Sequence, residues 1–282
     1  MDLQLTGKRA LITGGSRGIG RAIARTLLQE GVRVAIAARD EAAVKCAAAD
    51  LAAETGGEVH GIAADTCDDA SADALVARAV ELLGGLDILV NSAARPLSPP
   101  DLPGIAGVRS EHLLEELNTK DVGYVRVARA AAPHLVANGW GRIINISGLA
   151  ARQTGSIPGS VRNVAVAAFT KGLADELGPK GVNVTVVHPG ATRTERTAET
   201  IARHAQAIGL SLPDAEKALY GGSLIGRIVE AEEIADIVTF LASPRSVAIT
   251  GDAIAAGGGS PGVISYLATQ RSRCVDGLTI GR

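Results

Sequence analysis

Seven short, unbroken apolar runs, separated by longer amphipathic stretches, set the architecture open to this chain of 282 residues. The runs cover residues 8–13, 32–38, 58–63, 86–91, 142–147, 182–188 and 253–256. A strand with one wet face alternates apolar and polar residues, whereas a continuous run marks a strand covered on both faces, as in a parallel sheet. Residues 19–30, 41–54, 70–83, 111–137, 158–177 and 232–241 read as helices between them, with Gly31 and Gly178-Pro179 as stop signals. Right-handed crossovers place such helices on both faces, so the expected fold is α/β, a doubly wound parallel sheet of about seven strands.

No linker, charge run, repeat or low-complexity segment divides the chain, and residues 1–282 are read as a single domain. Two stretches break the rhythm. Residues 95–110 are rich in Pro and Gly, and residues 191–227 hold helical pieces around Ser211-Leu212-Pro213. Each follows a strand and is expected over the carboxyl edge of the sheet, where ligands bind in this architecture. Residues 191–227 are read as a substrate lid and residues 260–282 as a C-terminal extension, placed to fold over the site or a neighbouring subunit. The Leu, Ile and Ala content of the two loops suggests a small apolar ligand.

Composition excludes several functions. Lys and Arg total 28 against 30 Asp and Glu, so no basic excess calls for nucleic acid or an anionic membrane. With 2 Phe, 1 Trp and 3 Tyr, base-stacking platforms are excluded and the core must be built from Ala, Val, Ile and Leu. The three cysteines, Cys46, Cys67 and Cys274, lie far apart without metal-ligand spacing, so no metal is expected. No run of 18 apolar residues or signal-like N-terminus is present, and a cytoplasmic protein is expected.

Thr13-Gly14-Gly15-Ser16-Arg17-Gly18-Ile19-Gly20 lies between the first apolar run and the first helix. Glycines there let backbone approach a pyrophosphate, whose charge is met by the helix N-terminus. This spacing resembles the short-chain dehydrogenase/reductase family, over about residues 5–260, and implies a Rossmann-type sheet. Asp65 matches the family's adenine-contacting Asp, with Thr66 beside it. Asn91-Ser92-Ala93-Ala94 stands where the family has Asn-Asn-Ala-Gly, so two of four positions differ. His188-Pro189-Gly190, followed by Thr192 and Thr194, matches the segment that holds the nicotinamide carboxamide. Gly251-Asp252 through Gly257-Gly258 is similar to the family's last strand. The resemblance thus implies cofactor contacts from Gly14, Ser16, Arg17, Gly18, Ile19, Gly20, Arg39, Asp65, Thr66, Asn91, Ala93, Pro189, Gly190, Thr192 and Thr194.

Where an NAD enzyme of this family carries an acidic residue, the chain has Ala38 followed by Arg39. An Arg offers a planar donor fork to a 2′-phosphate, which a carboxylate would repel. Arg17 is the second basic position the family uses, and NADP(H) is the expected cofactor. The alternative is that both are solvated surface arginines.

The resemblance also implies a Tyr acid, a Lys four residues later, a Ser and an Asn. Counting back from Thr170-Lys171-Gly172-Leu173-Ala174-Asp175-Glu176-Leu177, the Tyr position falls on Gly159 and the Lys position on Asn163. The Ser position falls on Gly148 and the Asn position on Lys120. Asn118 and Ser147 are near misses, but a slip of two on a helix or one on a strand turns the side chain away. No slip creates the Tyr/Lys pair, because Ala128, Leu224 and Gln270 stand four residues after Tyr124, Tyr220 and Tyr266. Lys and Asn look exchanged between sites that face each other in the family. Lys120, Asn163 and Ser147 are therefore the candidate catalytic residues, with Lys120 reaching the ribose or substrate, or else extending to solvent. Arg152, Ser156, Ser160 and Arg162 flank the vacant Tyr position, and His188 is either a general acid or a backbone-bonded strand-end residue. Tyr124 is expected to pack.

Two functions follow. One is an NADP(H)-dependent oxidoreductase acting on a hydroxyl, carbonyl or activated enone of a small molecule, with a non-standard proton donor. The other is a catalytically degenerate NADP(H)-binding protein serving as sensor, scaffold or partner subunit. The family's subunit interface commonly uses the helices at 111–137 and 158–177, which implies a homo-oligomer, dimer or tetramer.

Overall fold

The computed structural model describes residues 1–94, 104–154 and 156–261. Among these, the strands are β1 (Arg9–Thr13), β2 (Arg33–Ala38), β3 (Val59–Ala63), β4 (Ile88–Asn91), β5 (Gly141–Ile146), β6 (Val182–Pro189), β7 (Thr192–Arg193), β8 (Val229–Glu230) and β9 (Ala253–Ala256). The α-helices are α1 (Gly18–Gln29), α2 (Glu41–Thr55), α3 (Asp69–Leu83), α4 (Ser110–Leu117), α5 (Gly123–Ala137), α6 (Ile157–Leu177), α7 (Thr197–Ile208), α8 (Leu212–Tyr220) and α9 (Ala231–Ala242).

Seven strands form one parallel sheet in the order β3-β2-β1-β4-β5-β6-β9. Within each run, successive side chains enter opposite cores. Ala10, Ile12, Val34, Ile36, Ile88 and Val90 face α1, α2 and α9. Leu11, Ala35, Leu89, Ile143 and Val184 face α3, α5 and α6. Burial on both faces is what keeps these runs apolar throughout. Among the described residues, Tyr124 is the one aromatic among the largest fully buried side chains, so small aliphatic residues carry the packing. Asp40, Asp68 and Ser156 cap α2, α3 and α6 by accepting from backbone N–H groups three residues on.

The direction of sheet growth reverses between β1 and β4, whose register sets Thr13 opposite Asn91. Asn91 is in turn opposite Asn145 of β5. The loops after these strands leave from the same carboxyl edge, and the crevice between them is the ligand position of a doubly wound sheet.

Two features depart from the expectation. Residues 111–137 are not one helix: a π-helical turn, Asn118–Val122, separates α4 from α5. The wider turn puts Thr119 and Lys120 inside the protein, and such turns recur at functional sites. Residues 191–227 begin at a small parallel sheet, Thr192 opposite Val229 and Arg193 opposite Glu230, that fastens both ends of the α7–α8 segment. Ile201, Ala205 and Ala215 pack with Leu219 and Tyr220 in a cluster that, among the described residues, belongs to α7 and α8 alone. No helix of the described residues is long and apolar enough to cross a membrane. Residues 95–103 of the first irregular loop, most of the 260–282 extension, Tyr266 and Cys274 lie outside the described residues.

Candidate active site

The glycine turn is built by close backbone approach. Gly14 has φ +69°, and a Cβ there would lie 2.9 Å from the Ala93 Cα and N and the Ser92 carbonyl oxygen. A Cβ on Gly20 would lie 2.3 Å from the Gly14 carbonyl oxygen. Thr13 Oγ1 accepts from the N–H groups of Ser92 and Ala93 at 3.1 and 3.2 Å, tying the turn after β1 to the loop after β4. The N–H groups of Gly14 and Gly15 donate to the Ala37 carbonyl. The next donors, from Ser16 through Gly20, lead into the N-terminus of α1.

An anion already sits there. Gly18 N–H donates to both carboxylate oxygens of Glu195, each at 3.1 Å. Thr194 lies alongside, its methyl 3.4 Å from where a Gly18 Cβ would be. Pro189 and Gly190 hold this segment close: Gly190 N–H donates to Ala256, and a Cβ on Gly190 would meet the Gly257 Cα at 2.7 Å. Thr192 Oγ1 donates back to the Gly190 carbonyl.

Arg17 caps α1 without a side-chain bond, and Arg39 follows β2. Both are exposed, and neither has an ion-pair partner among the described residues. Arg39 sits beside the loop of Asp65, because Ala38 pairs with Ala63 and Ala64 N–H donates to Ala38. Asp65 is exposed and accepts from Cys67 N–H, while Thr66 is buried and its carbonyl accepts from Arg126. Asn91 is fully buried and donates to Asn145, which donates to Thr170, so it braces the sheet. The turn thus accepts an anion and the neighbouring arginines are unpaired, as a dinucleotide phosphate group requires.

The second half of the site lies after β5. Lys120 is buried, and its ammonium donates to the Ser147 carbonyl at 2.9 Å and to Asn163 Oδ1 at 2.8 Å. Asn163 Nδ2 donates to the Gly159 carbonyl at 2.7 Å, which orients the carboxamide with its oxygen toward Lys120. Ser147 Oγ donates to the Asn163 backbone carbonyl at 3.0 Å. The Asn163 carboxamide also fills the space beside Gly148, where a Cβ would meet it at 3.3 Å. Lys120, Asn163 and Ser147 are therefore one hydrogen-bonded group. Asn118 is not part of it, since its side-chain oxygen accepts from Arg126.

Burial, then the nearby Arg162 charge, brings the Lys120 ammonium down to about 7, against the raising effect of Asp121 and Glu116. Asp121 is pushed up to about 7, chiefly by burial, and its two oxygens find no side-chain hydrogen-bond partner among the described residues. Arg162 approaches Glu116 at 3.6 Å, both largely buried. His188 is 1% exposed; burial, then Arg152 and Lys120, lowers it to about 4, so its ring is neutral near pH 7. Its Nδ1 is buried without a partner among the described residues. Tyr124 lies four residues after Lys120, but its hydroxyl donates to the Ile146 carbonyl and burial holds it above the usual phenol range. Arg152 donates to Ala253, Ser156 caps α6 and Ser160 donates to Gln153.

Comparison with known proteins decides the family. A family profile described as enoyl-(acyl carrier protein) reductase matches residues 14–260. A short-chain reductase protein, NovJ, of Streptomyces niveus is 36% identical over 262 residues, covering 89% of this chain and 93% of that protein. The chain belongs to the short-chain dehydrogenase/reductase family. Members of known structure share its sheet. L-Sorbose reductase from Gluconobacter frateurii, complexed with NADPH and L-sorbose, superposes with TM-score 0.86 at 28% identity, covering 94% of this chain and 100% of that one. An actinorhodin polyketide ketoreductase variant with NADPH gives 0.81 at 33% identity, covering 89% and 96%.

Within this short-chain dehydrogenase/reductase, sequence reasoning missed two acidic residues. Asp121 stands next to a lysine on a helical stretch, and no spacing marks it off from a solvated charge. Glu195 lies 177 residues from Gly18 in sequence, and no local pattern marks such a contact.

Proposed function

We propose that the protein is an NADP(H)-dependent oxidoreductase that reduces a carbonyl or activated enone, or oxidises the corresponding alcohol, with Lys120 as proton donor and acceptor. It is a divergent member of its family, with Gly159 and Gly148 at the usual Tyr and Ser positions. The observation that carries this reading is the Lys120 ammonium, drawn inside and held by Ser147 and Asn163 at the sheet's carboxyl edge. Arg17 and Arg39 would hold the 2′-phosphate and the α1 N-terminus the pyrophosphate, with Thr194 beside Gly18 at that turn, and the family resemblance assigns the segment Pro189, Gly190 and Thr194 to the nicotinamide end. NADPH-bound members of the family support the choice of cofactor.

The nicotinamide supplies the hydride when bound. Lys120 delivers the matching proton to the substrate oxygen and becomes a neutral amine, which regains a proton from solvent. A donor whose pKa lies near the working pH is matched to this task in both directions. Asn163 and the Ser147 carbonyl hold the amine in place, and neutral His188 adds no competing positive charge. Substrates that need little acid assistance, such as activated enones or quinones, suit this site.

The test is anaerobic mixing with NADPH and a panel of ketones, enones and quinones, followed at 340 nm. Oxidation of NADPH with at least one class supports the reading, and stronger turnover with enones supports the weak-acid form of it. Tight NADPH binding without oxidation by any substrate would instead make the protein a nucleotide-binding sensor, scaffold or partner subunit.

A further inference from the structure

The Glu195 carboxylate occupies a position that the cofactor reading reserves for phosphate. Both of its oxygens accept from Gly18 N–H at 3.1 Å, and among the described residues it makes no ion pair. This is notable because Arg193 and Arg196 flank it in sequence. Arg193 is instead committed to Glu216 and Glu230. A carboxylate that bypasses arginines for a helix N-terminus is responding to the same positive dipole and N–H donor that bind a phosphate. The donor and the charge compensation at this point serve one anion.

The surrounding fold lets the contact open. Glu195 is exposed and lies between the β7–β8 pair, which anchors the segment, and α7, whose first turn is joined to it through Thr194 N–H donating to Thr197. Because, among the described residues, α7 and α8 share their apolar cluster only with each other, they can shift without breaking the main core. A groove of about 280 Å³ beside Glu195 is lined by Arg21, Arg25 and Glu232 as well as by Gly18, which gives the displaced carboxylate space; the guanidinium groups there are already paired, Arg21 with Glu54 and Arg25 with Glu54 and Glu232.

We propose that Glu195 is an autoinhibitory occupant of the dinucleotide cradle: it latches the start of the α7–α8 segment to α1 in the free protein and is expelled by the cofactor pyrophosphate. Cofactor binding and release of the segment are then one event, and cofactor affinity is lowered by the strength of the latch. The proposal rests on the cofactor reading of the glycine turn.

The experiment is a fluorescence titration of wild type, Glu195→Gln and Glu195→Ala with NADPH, and in parallel with 2′-AMP, which carries the 2′-phosphate but no pyrophosphate. Removing a carboxylate from a helix N-terminus predicts NADPH binding about two- to fivefold tighter in both variants. Binding of 2′-AMP should stay the same, because it does not reach the cradle; this separates the latch from a general structural change. NADPH binding that is unchanged or weaker in both variants, with wild type binding normally, overturns the latch while leaving the cofactor reading intact. Tightening of 2′-AMP to the same extent as NADPH also overturns it. Failure of all three proteins to bind NADPH removes the cofactor reading, and this proposal with it.

Discussion

Lys120 and Asn163, on the π turn and on α6, form a 2.8 Å hydrogen bond across the floor of the site. The bond fixes the direction of the carboxamide, because Asn163 Nδ2 is spent on the Gly159 carbonyl. The charge on Lys120 is nevertheless opposed by its burial, and this opposition has consequences for stability and for catalysis.

For stability, the sign follows from proton counts. The Lys120 ammonium falls from 10.5 in the open chain to about 7 in the folded protein, chiefly through burial. Between those values the unfolded chain binds more protons, so this residue makes stability rise with pH from about 7 to 10.5, and below about 7 its penalty is complete. Lys120→Met should therefore be most stabilised relative to wild type near pH 6.5, with the gap narrowing toward pH 10. Urea unfolding of both proteins across this range measures the gap directly. A pH-independent gap would show that Lys120 is not held in a desolvated place.

The backbone approach at Gly14 gives a purely structural prediction. Gly14 and Gly56 both have φ +69°, but a Cβ at Gly56 has nothing within 4 Å, whereas one at Gly14 runs into the backbone of Ser92 and Ala93. Gly56→Ala should cost about 1–2 kcal/mol, from the left-handed backbone alone. Gly14→Ala adds overpacking of roughly 1–3 kcal/mol and moves the loop after β4. Chemical denaturation of the two variants compares them. Equal losses would mean that the turn and the β4 loop are not in contact.

Cofactor choice is tested at Arg39. A charged hydrogen bond to phosphate contributes about 1.5–3 kcal/mol, and the exposure of Arg39 sets the expectation at the low end. Arg39→Ala should weaken NADPH about tenfold and leave NADH unchanged, because NADH has no 2′-phosphate. Calorimetric titration with both nucleotides gives the comparison. Equal weakening of both would assign Arg39 a structural role.

The sheet was legible because its strands are buried on both sides. Residues such as Ile88, Leu89 and Val90 serve opposite cores, so no polar residue interrupts them. The approach of Lys120 to Asn163 followed from family spacing alone, since positions that face each other stay opposed when their residues are exchanged. The π turn was not legible. Amphipathic periodicity continues from Leu114 into Val127, and one extra residue per turn leaves no compositional mark. Neither was the β7–β8 pair, because two residues per strand are too few to show a period. The contacts of Glu195 and the burial of Asp121 depend on segments brought together only by folding.

The central claim is that Lys120 supplies the proton, and the pH dependence of its own reaction tests it. Once a reducible substrate is in hand, kcat/KM for NADPH-dependent reduction should be flat at low pH and fall as pH rises through about 7, as the ammonium loses its proton. Asn163→Asp, which sets a carboxylate against the ammonium, should move that fall upward by about 1–3 units. Lys120→Met should lower turnover by ~10²–10⁴ and abolish the inflection while still binding NADPH. An inflection that persists unchanged in Lys120→Met, with turnover retained, would contradict the account.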